Sequence, residues 1–508
     1  MGDTGEKSPP ATVPLQSVLY KSIKTITLVL TWICIGLYME ITGPTLIDLK
    51  FRANTSYENI ARAISGRSVG FFIGSLAGGM LVDKLTRYCD CMIGFCLTFA
   101  GATTVIVPWS TSLGLVWFLF VFQGTCEGII NIAGQRLIIL LWEKKAASPL
   151  HVLHMGFGIG SFIVPLISNP FLADRVFVTL GNSTNVSNSQ ILNTTLDVSY
   201  SQILNTTLDV SYSQNRNTTM GVSTTAKGEE IFINSRIEYA YAISGSITFL
   251  MASAFYYYQF FDKQTSTLYD ADEFSAKPIQ KKTIRSIINP ATCAGGDCWF
   301  GSKIFFFLLI HFFNVLGIER ACGKFIRAYS IDQLAFSKDD GTFINTAFWA
   351  AHAVGRLSGF IVAKWIPIKV LILVELASGL VFAILLCCFA TDNKLMLWVF
   401  APCLGFFVAP LFPTGIGWGN HHMEMTGCAI TLLLCGASVG GVAYLWILGY
   451  LYDTYGPTTF LYLLLGGFIV LTINATLLTI SVRNRLGKYD TKKSQCRDLE
   501  LLNKNKET

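Results

Sequence analysis

The chain has 508 residues, 52% hydrophobic and 14% charged, with a formal net charge of +6 at pH 7. Soluble domains carry about 25% charged residues, so this composition, with a mean hydropathy of +0.50, excludes an ordinary water-soluble globule. The small positive balance is no nucleic-acid signature, and the class left standing is a polytopic membrane protein.

A spanning helix needs about 20 apolar residues. Twelve such runs follow in order, at 25–47, 60–82, 90–109, 113–141, 149–170, 237–258, 302–326, 341–363, 369–390, 395–418, 426–451 and 458–481. The expected fold is all-α, with twelve transmembrane helices in two six-helix bundles. The expected organisation is a cytoplasmic tail 1–24, a first bundle 25–258, a charged cytoplasmic linker 259–301, a second bundle 302–481 and a cytoplasmic tail 482–508. The opening MGDTGEKSPP lacks the shape of a signal peptide, and Glu6 stands where a myristoylation motif wants Ser or Thr.

Charge placement orients the spans. Lys21, Lys24, Lys84, Arg87, Lys144, Lys145, Lys281, Lys282, Arg285, Lys364, Lys369, Arg483 and Arg485 fall on one side if the spans alternate. That side is cytoplasmic by the positive-inside rule, with both termini on it. The opposite side carries Asn-x-Ser/Thr acceptors at Asn54, Asn182, Asn185, Asn193, Asn205 and Asn217. Five of these lie in 172–236, where SQILNTTLDVSY occurs twice in tandem, at 189–200 and 201–212. No fold is expected in that polar, glycosylated segment. A further acceptor, Asn474, lies inside the last span and is expected to go unused. Cys293 and Cys298 in CAGGDC read as half a metal site or as free thiols; without a second pair the thiol reading is preferred, and no metal site is expected.

Several spans carry polar residues that lipid would exclude. In span one, Glu40 precedes Gly43-Pro44, where proline frees a backbone carbonyl. Carboxylate, carbonyl and the Thr42 hydroxyl suit a hard cation; the other reading is a buried acid paired with Arg67 or another base. In span four, Gln123, Glu127, Asn131 and Gln135 are spaced by fours and share one face of a helix. Gly124, Gly128 and Gly134 flank Glu127 and admit a ligand or a neighbouring backbone. A charge at the bilayer centre costs at least ~2.5–3.5 kcal/mol, which favours a working carboxylate over a structural one bonded to an adjacent span. Such a group can carry a proton, or stay ionised beside Na⁺.

His154 in span five reads as a satisfied polar residue. Span seven holds His311, Asn314, Glu319 and Arg320; the last two are adjacent, so they point in different directions. In span eight, Asn345, Trp349, His352 and Arg356 form a stripe at spacings of 4, 3 and 4. An indole face beside amide and imidazole groups suits a sugar, whose ring stacks while its hydroxyls hydrogen-bond; interhelical glue is the other reading. Arg356, nearer the cytoplasm, is expected to pair with an acid or serve an inner gate. Pro402, Pro410 and Pro413 are expected to break span ten, as a hinge or for packing.

The two halves repeat. Gly79 and Gly359, Gly156 and Gly436, and Gly160 and Gly440 are each 280 residues apart. An internal repeat is a mark of secondary transporters that bind solute between their halves, and the small-xxx-small pairs let helices approach closely. The bundles are thus expected to be pseudo-symmetric.

The loop GGMLVDKLTR after span two, with Gly79, Asp83, Lys84 and Arg87, resembles the G-x-x-x-D-[RK]-x-[GS]-[RK] signature of the major facilitator superfamily. Thr86 and Tyr88 depart from it, and Ala363 replaces the acid in the second copy. The resemblance implies that Asp83 and Arg87 stabilise an outward-open state; the plainer reading is a basic loop that sets topology. MEITGPTLIDL, CEGIINIAGQ, HVLHMGFGIGSFIVPLI, the Asn314–Glu319 pair, FWAAHAVGRL and APLFPTGIGW resemble the sodium-dependent glucose transporter 1 group and, more distantly, fucose–proton symporters, over about 25–481. That resemblance implies an ion-linking role for Glu127, a matching acid in Glu319, and gating by Asp83, Arg87 and Arg356. The polar faces themselves offer Gln123, Glu127, Asn131, Asn345, Trp349 and His352 as solute contacts, and Glu40 as a further coupling acid.

The expected function is a Na⁺-coupled glucose or hexose symporter working by alternating access. A facilitative or proton-coupled carrier of another small polar solute is the first alternative, and a non-transporting receptor or scaffold the second. No nucleophile with a paired base, His-rich metal motif or phosphate loop argues for an enzyme. The expected partners are a small solute and the bilayer, with Na⁺ or H⁺ as coupling ion and no other cofactor. The protein is expected to be monomeric, in the plasma membrane.

Overall fold

The computed structural model describes residues 18–143, 147–178, 229–262, 264, 269, 297–423 and 427–482. The chain divides into two compact units, one comprising 1–173 with 234–508, the other 174–233.

In the larger unit the described helices are α1 (Val18–Glu40), α2 (Leu46–Arg52), α3 (Tyr57–Lys84), α4 (Cys89–Ile106), α5 (Leu113–Trp142), α6 (Ala147–Ser168), α7 (Ile237–Phe260), α8 (Cys298–Leu334), α9 (Lys338–Val362), α10 (Ile368–Phe389), α11 (Lys394–His422), α12 (Gly427–Tyr455) and α13 (Thr459–Val482). All except the seven-residue α2 are at least 18 residues long. Nine of the described helices are long and apolar enough to cross a membrane. The remaining long ones, α3, α7 and α9, are diluted by polar and small residues, among them Arg67 in α3 and Asn345, His352 and Arg356 in α9.

Span one ends early because Pro44 cannot donate to a helix. The chain closes a turn through Gly43 N–H to Glu40 O (3.0 Å) and restarts as α2. Span ten behaves otherwise: α11 runs unbroken through Pro402, Pro410 and Pro413, which corrects the expected break. Room for at least one ring is built in, since Pro410 lies against Gly359, where an added Cβ would approach it to 2.6 Å.

The repeat reappears in the packing. A Cβ on Gly156 would meet Val29 O at 2.6 Å, and one on Gly436 would meet Leu309 Cδ2 at 2.8 Å. A Cβ on Gly160 would meet Ile33 O at 2.1 Å, and one on Gly440 would meet Phe313 O at 1.9 Å. Val29 and Leu309, like Ile33 and Phe313, are themselves 280 residues apart, so equivalent helix pairs cross at equivalent glycines. In the first half Gly70 and Gly74 of α3 face Val121 and Thr125 of α5, while Gly124 and Gly128 face Arg67 and Ser75 in return. Gly124 and Gly128 thus admit the backbone of α3, an approach a small residue allows, while Gly134 admits the Trp32 ring of α1.

The smaller unit holds β1 (Asp174–Val178) paired antiparallel with β2 (Glu229–Ile233), Asp174 opposite Ile233. The expectation of no fold thus fails at the two ends of 172–236, while 179–228 lie outside the described residues. DRVFV and EEIFI are rich in β-branched and aromatic residues, which fit a pleated surface. Asn182, Asn185, Asn193, Asn205 and Asn217 lie outside the described residues. Asn54 is exposed in the turn after α2, at φ 43°. Cys298 is an exposed free thiol at the start of α8, and Cys293 lies outside the described residues.

Candidate functional site

The helices place Val18 and Val482 on one side of the bundle, here the near side. On the opposite, far side the halves are joined. Tyr57 donates its hydroxyl to Asp332 (2.6 Å), which also accepts from Tyr452 (3.0 Å). The backbone N–H groups of Tyr57 and Glu58, at the start of α3, donate to the Asp453 carboxylate at 3.2 and 2.6 Å. A carboxylate of the second half therefore caps a helix N-terminus of the first, a favourable pairing of negative charge with orphaned donors. Trp446 Nε1 donates to Ser65 Oγ (2.6 Å), Asn169 Nδ2 to Asp339 Oδ1 (2.8 Å) and Arg327 Nη1 to Pro44 O (2.8 Å).

Deeper lies a cluster of buried charges contributed by both halves. Glu40 is fully buried; Arg320 Nη1 donates to its Oε1 (2.9 Å) and Lys324 Nζ to its Oε2 (2.7 Å). Of the partners considered for Glu40, the structure thus selects these two and not Arg67. Arg67 instead donates to Met39 O, Tyr38 O (3.3 Å) and Gln123 Oε1 (2.8 Å), and lies 4.6 Å from the Phe120 ring centre. Gln123 donates in turn to Thr104 Oγ1 (2.8 Å), so it holds Arg67 in place and does not line the cavity described next.

Arg67, Ser68, Phe71 and Glu127 from the first half meet Leu316, Arg320 and Ser438 from the second around a cavity of about 10 Å³. One water needs about 10–15 Å³, so in this conformation no hexose fits. Glu127 is 5% exposed, and its Oε2 has no hydrogen-bond partner. One turn further along α5, Gln135 donates to Asn131, and both are half-buried.

The α9 stripe is buried against α6 and α8. Asn345 Nδ2 donates to Gly323 O (3.3 Å), and Trp349 packs on Gly323 and edge-on to Phe157, ring centres 6.0 Å apart. Arg356 Nη2 donates to Glu319 Oε2 (3.4 Å), with His352 Nε2 3.5 Å from the same oxygen. Arg356 therefore has the acid partner expected for it, and Glu319 and Arg320 do diverge, toward α9 and Glu40 respectively. Asn345 Oδ1, Trp349 Nε1, His352 Nδ1 and Arg356 Nε are buried without hydrogen-bond partners.

Further from the interface, His311 Nε2 lies 3.1 Å from Leu411 O, Asn314 accepts from Tyr444 (2.7 Å), and His154 packs edge-on to Trp32. At the near side Arg87 is exposed; the Asp83 side chain lies outside the described residues. Sequence reasoning passed over Lys324, the Tyr57–Asp332–Asp453 cluster and Glu375. Glu375 is a buried acid of α10 whose Oε1 accepts from Thr414 (3.0 Å) and whose Oε2 has no partner. Its signal was plain, a lone carboxylate inside an apolar run, as for Glu127.

The family model described as Major Facilitator Superfamily matches residues 28–177. The chain resembles the human protein named sodium-dependent glucose transporter 1, 22% identical over 426 residues that cover 83% of this chain and 72% of the relative. It is also 23% identical to zebrafish major facilitator superfamily domain-containing protein 4A, over 84% of this chain and 82% of the relative. In fold it matches the crystal structure of the Escherichia coli fucose:proton symporter FucP at TM-score 0.54, covering 91% of this chain and 98% of that one, at 14% identity. Two helical halves joined over a buried polar seam define an integral, multi-pass membrane protein. The chain has the major facilitator fold, and its sequence resembles the Major Facilitator Superfamily over residues 28–177 and, within that class, the sodium-dependent glucose transporter 1 group.

Proposed function

We propose that the chain carries a hexose-type sugar by alternating access, coupled to a cation gradient, Na⁺ first among the candidates. The observation that carries this reading is the seam of buried polar atoms left without partners between the halves: Glu127 Oε2, Arg67 Nε, Arg320 Nε, Asn345 Oδ1, Trp349 Nε1 and His352 Nδ1. Each buried, unsatisfied group costs about 1–3 kcal/mol. A protein with no use for them would have replaced them with apolar side chains; a carrier fills them with water and solute hydroxyls as its halves rock.

In this reading Glu127, Asn131, Asn345, Trp349 and His352 meet the solute, and Gln123 acts through Arg67. Glu127 serves ion coupling; Glu40 and Glu319 act through the cations that hold them. Asp83, Arg87 and Arg356 belong to the near-side gate. The far side is extracellular, as the basic near side and Asn54 suggest. The conformation seen is then closed to the outside. The names of the relatives support a sugar and Na⁺. The unpartnered Glu127 oxygen supports proton coupling as the second reading.

The test is purified protein in vesicles, offered labelled glucose and other hexoses with Na⁺ and proton gradients imposed separately. Accumulation under one gradient confirms the carrier and names the ion. Equilibration without accumulation leaves a facilitative carrier, and no flux of any hexose removes the reading.

A further inference from the structure

We infer that the cavity between Arg67 and Arg320 is an anion site, filled during transport by a single negative charge. Its source is the carboxylate of a sugar acid of hexose size or a halide moving with a neutral sugar. The inference rests on the carrier reading and sharpens its substrate class.

The argument is a charge count. Arg67, Arg320 and Glu127 line the cavity, and Glu40 and Lys324 are ion-paired behind Arg320; with all five groups ionised, three cations against two acids leave one positive charge. The acids are unevenly used. Glu40 is taken by Arg320 and Lys324 together. Arg67, 4% exposed, donates only to neutral acceptors, two backbone carbonyls and an amide oxygen. Arg67 Nε and Arg320 Nε have no acceptor at all. The neighbouring group differs: Glu319 and Arg356 balance one to one beside a His352 that needs no charge. The surplus is therefore local to the cavity.

An uncompensated cation inside a bilayer is expensive, and a neutral hexose does nothing to relieve it. A monoanion brings the count to zero with Glu127 ionised; with Glu127 protonated, its O–H becomes one more donor to the anion. The donors suit a carboxylate, since planar guanidinium groups recognise it through paired N–H bonds. Ser68 and Ser438, one from each half, add hydroxyls, and Phe71 offers an apolar face to a sugar ring. Opening the far side parts Glu40 from Arg320, which leaves a second guanidinium free as the cavity grows.

The test uses full-length protein in chloride-free vesicles, offered labelled glucuronate and labelled glucose, with and without added chloride at constant ionic strength. Glucuronate uptake that glucose competes for poorly assigns the charge to the solute. Glucose uptake that requires chloride assigns it to a halide. In either case Arg67→Gln is expected to reduce the anion-dependent flux about tenfold or more. Arg67→Lys, which keeps the charge and loses the fork, gives an intermediate loss and carries the test if the glutamine variant does not fold. Glucose uptake indifferent to chloride, with no glucuronate uptake, overturns the anion site and leaves the carrier standing. No flux of either sugar overturns both.

Discussion

Glu40 Oε1 accepts a hydrogen bond from Arg320 Nη1 at 2.9 Å, and the two residues are 280 positions apart, the spacing that relates the two halves of the chain. The bond joins repeat-equivalent positions across the pseudo-two-fold axis. Gly43 and Gly323 share that spacing and also meet: a Cβ on Gly43 would lie 2.2 Å from Gly323 O. The halves touch where their copies coincide, through an acid on one side and its cationic counterpart on the other.

That symmetry predicts a rescue. Glu40→Gln leaves Arg320 and Lys324 without their carboxylate. Removing one partner of a buried pair costs about 3–5 kcal/mol, and here the loss falls on the far-side-closed state. A cysteine placed at Ser65, buried under Trp446, is expected to react faster with a membrane-impermeant thiol reagent from the far side. The exchange Glu40→Arg with Arg320→Glu restores the bond in reverse and returns labelling toward the parent rate. An exchange no better than the single variants contradicts a direct pairing.

The glycine contact gives a steric counterpart. Gly43→Ala puts a methyl into Gly323 O, so the halves cannot close on the far side without shifting. Far-side labelling at position 65 is expected to rise as for Glu40→Gln, and transport to fall, without loss of folded protein. Gly466→Ala serves as control, because nothing lies within 4 Å of an added Cβ there.

The α9 wall predicts a loss specific to solute. Trp349→Ala removes a fully buried indole and costs stability, about 3–5 kcal/mol for a large aromatic. His352→Gln keeps volume and polarity and is expected to fold. If this wall meets the solute, its half-saturation concentration rises several-fold while its expression and melting temperature hold. Unchanged uptake kinetics would make the stripe interhelical glue.

Much of this architecture is legible in the sequence, because membrane proteins advertise it. Apolar runs of fixed length give the spans, and glycines at a constant offset give the repeat. Lone polar residues in Glu40, Glu127 and the Asn345–Arg356 stripe mark the seam. What sequence cannot supply is who faces whom. Gln123 shares a face with Glu127 yet turns to Arg67, because the Gly124–Arg67 approach brings α3 against α5 there. Glu40 finds Lys324 only because the broken turn at Gly43 meets the unbroken α8 at Gly323. Tyr57, Asp332 and Asp453 are unremarkable residues near loops until the halves close. Proline costs a helix hydrogen bond, so three of them read as a break, and the spacing does not reveal that α11 runs on with Gly359 making room for the Pro410 ring.

The central claim is that the seam carries solute and that Glu127 links it to an ion. The most direct measurement compares wild type with Glu127→Gln in vesicles, under Na⁺ and proton gradients imposed separately, following gradient-driven accumulation and equilibrium exchange of the same labelled solute. The expected result is accumulation by wild type under one gradient, lost in Glu127→Gln while exchange persists, since a neutral amide cannot change charge but leaves the cavity's shape intact. Undiminished accumulation by the variant, or no solute movement through wild type under either gradient, would contradict it.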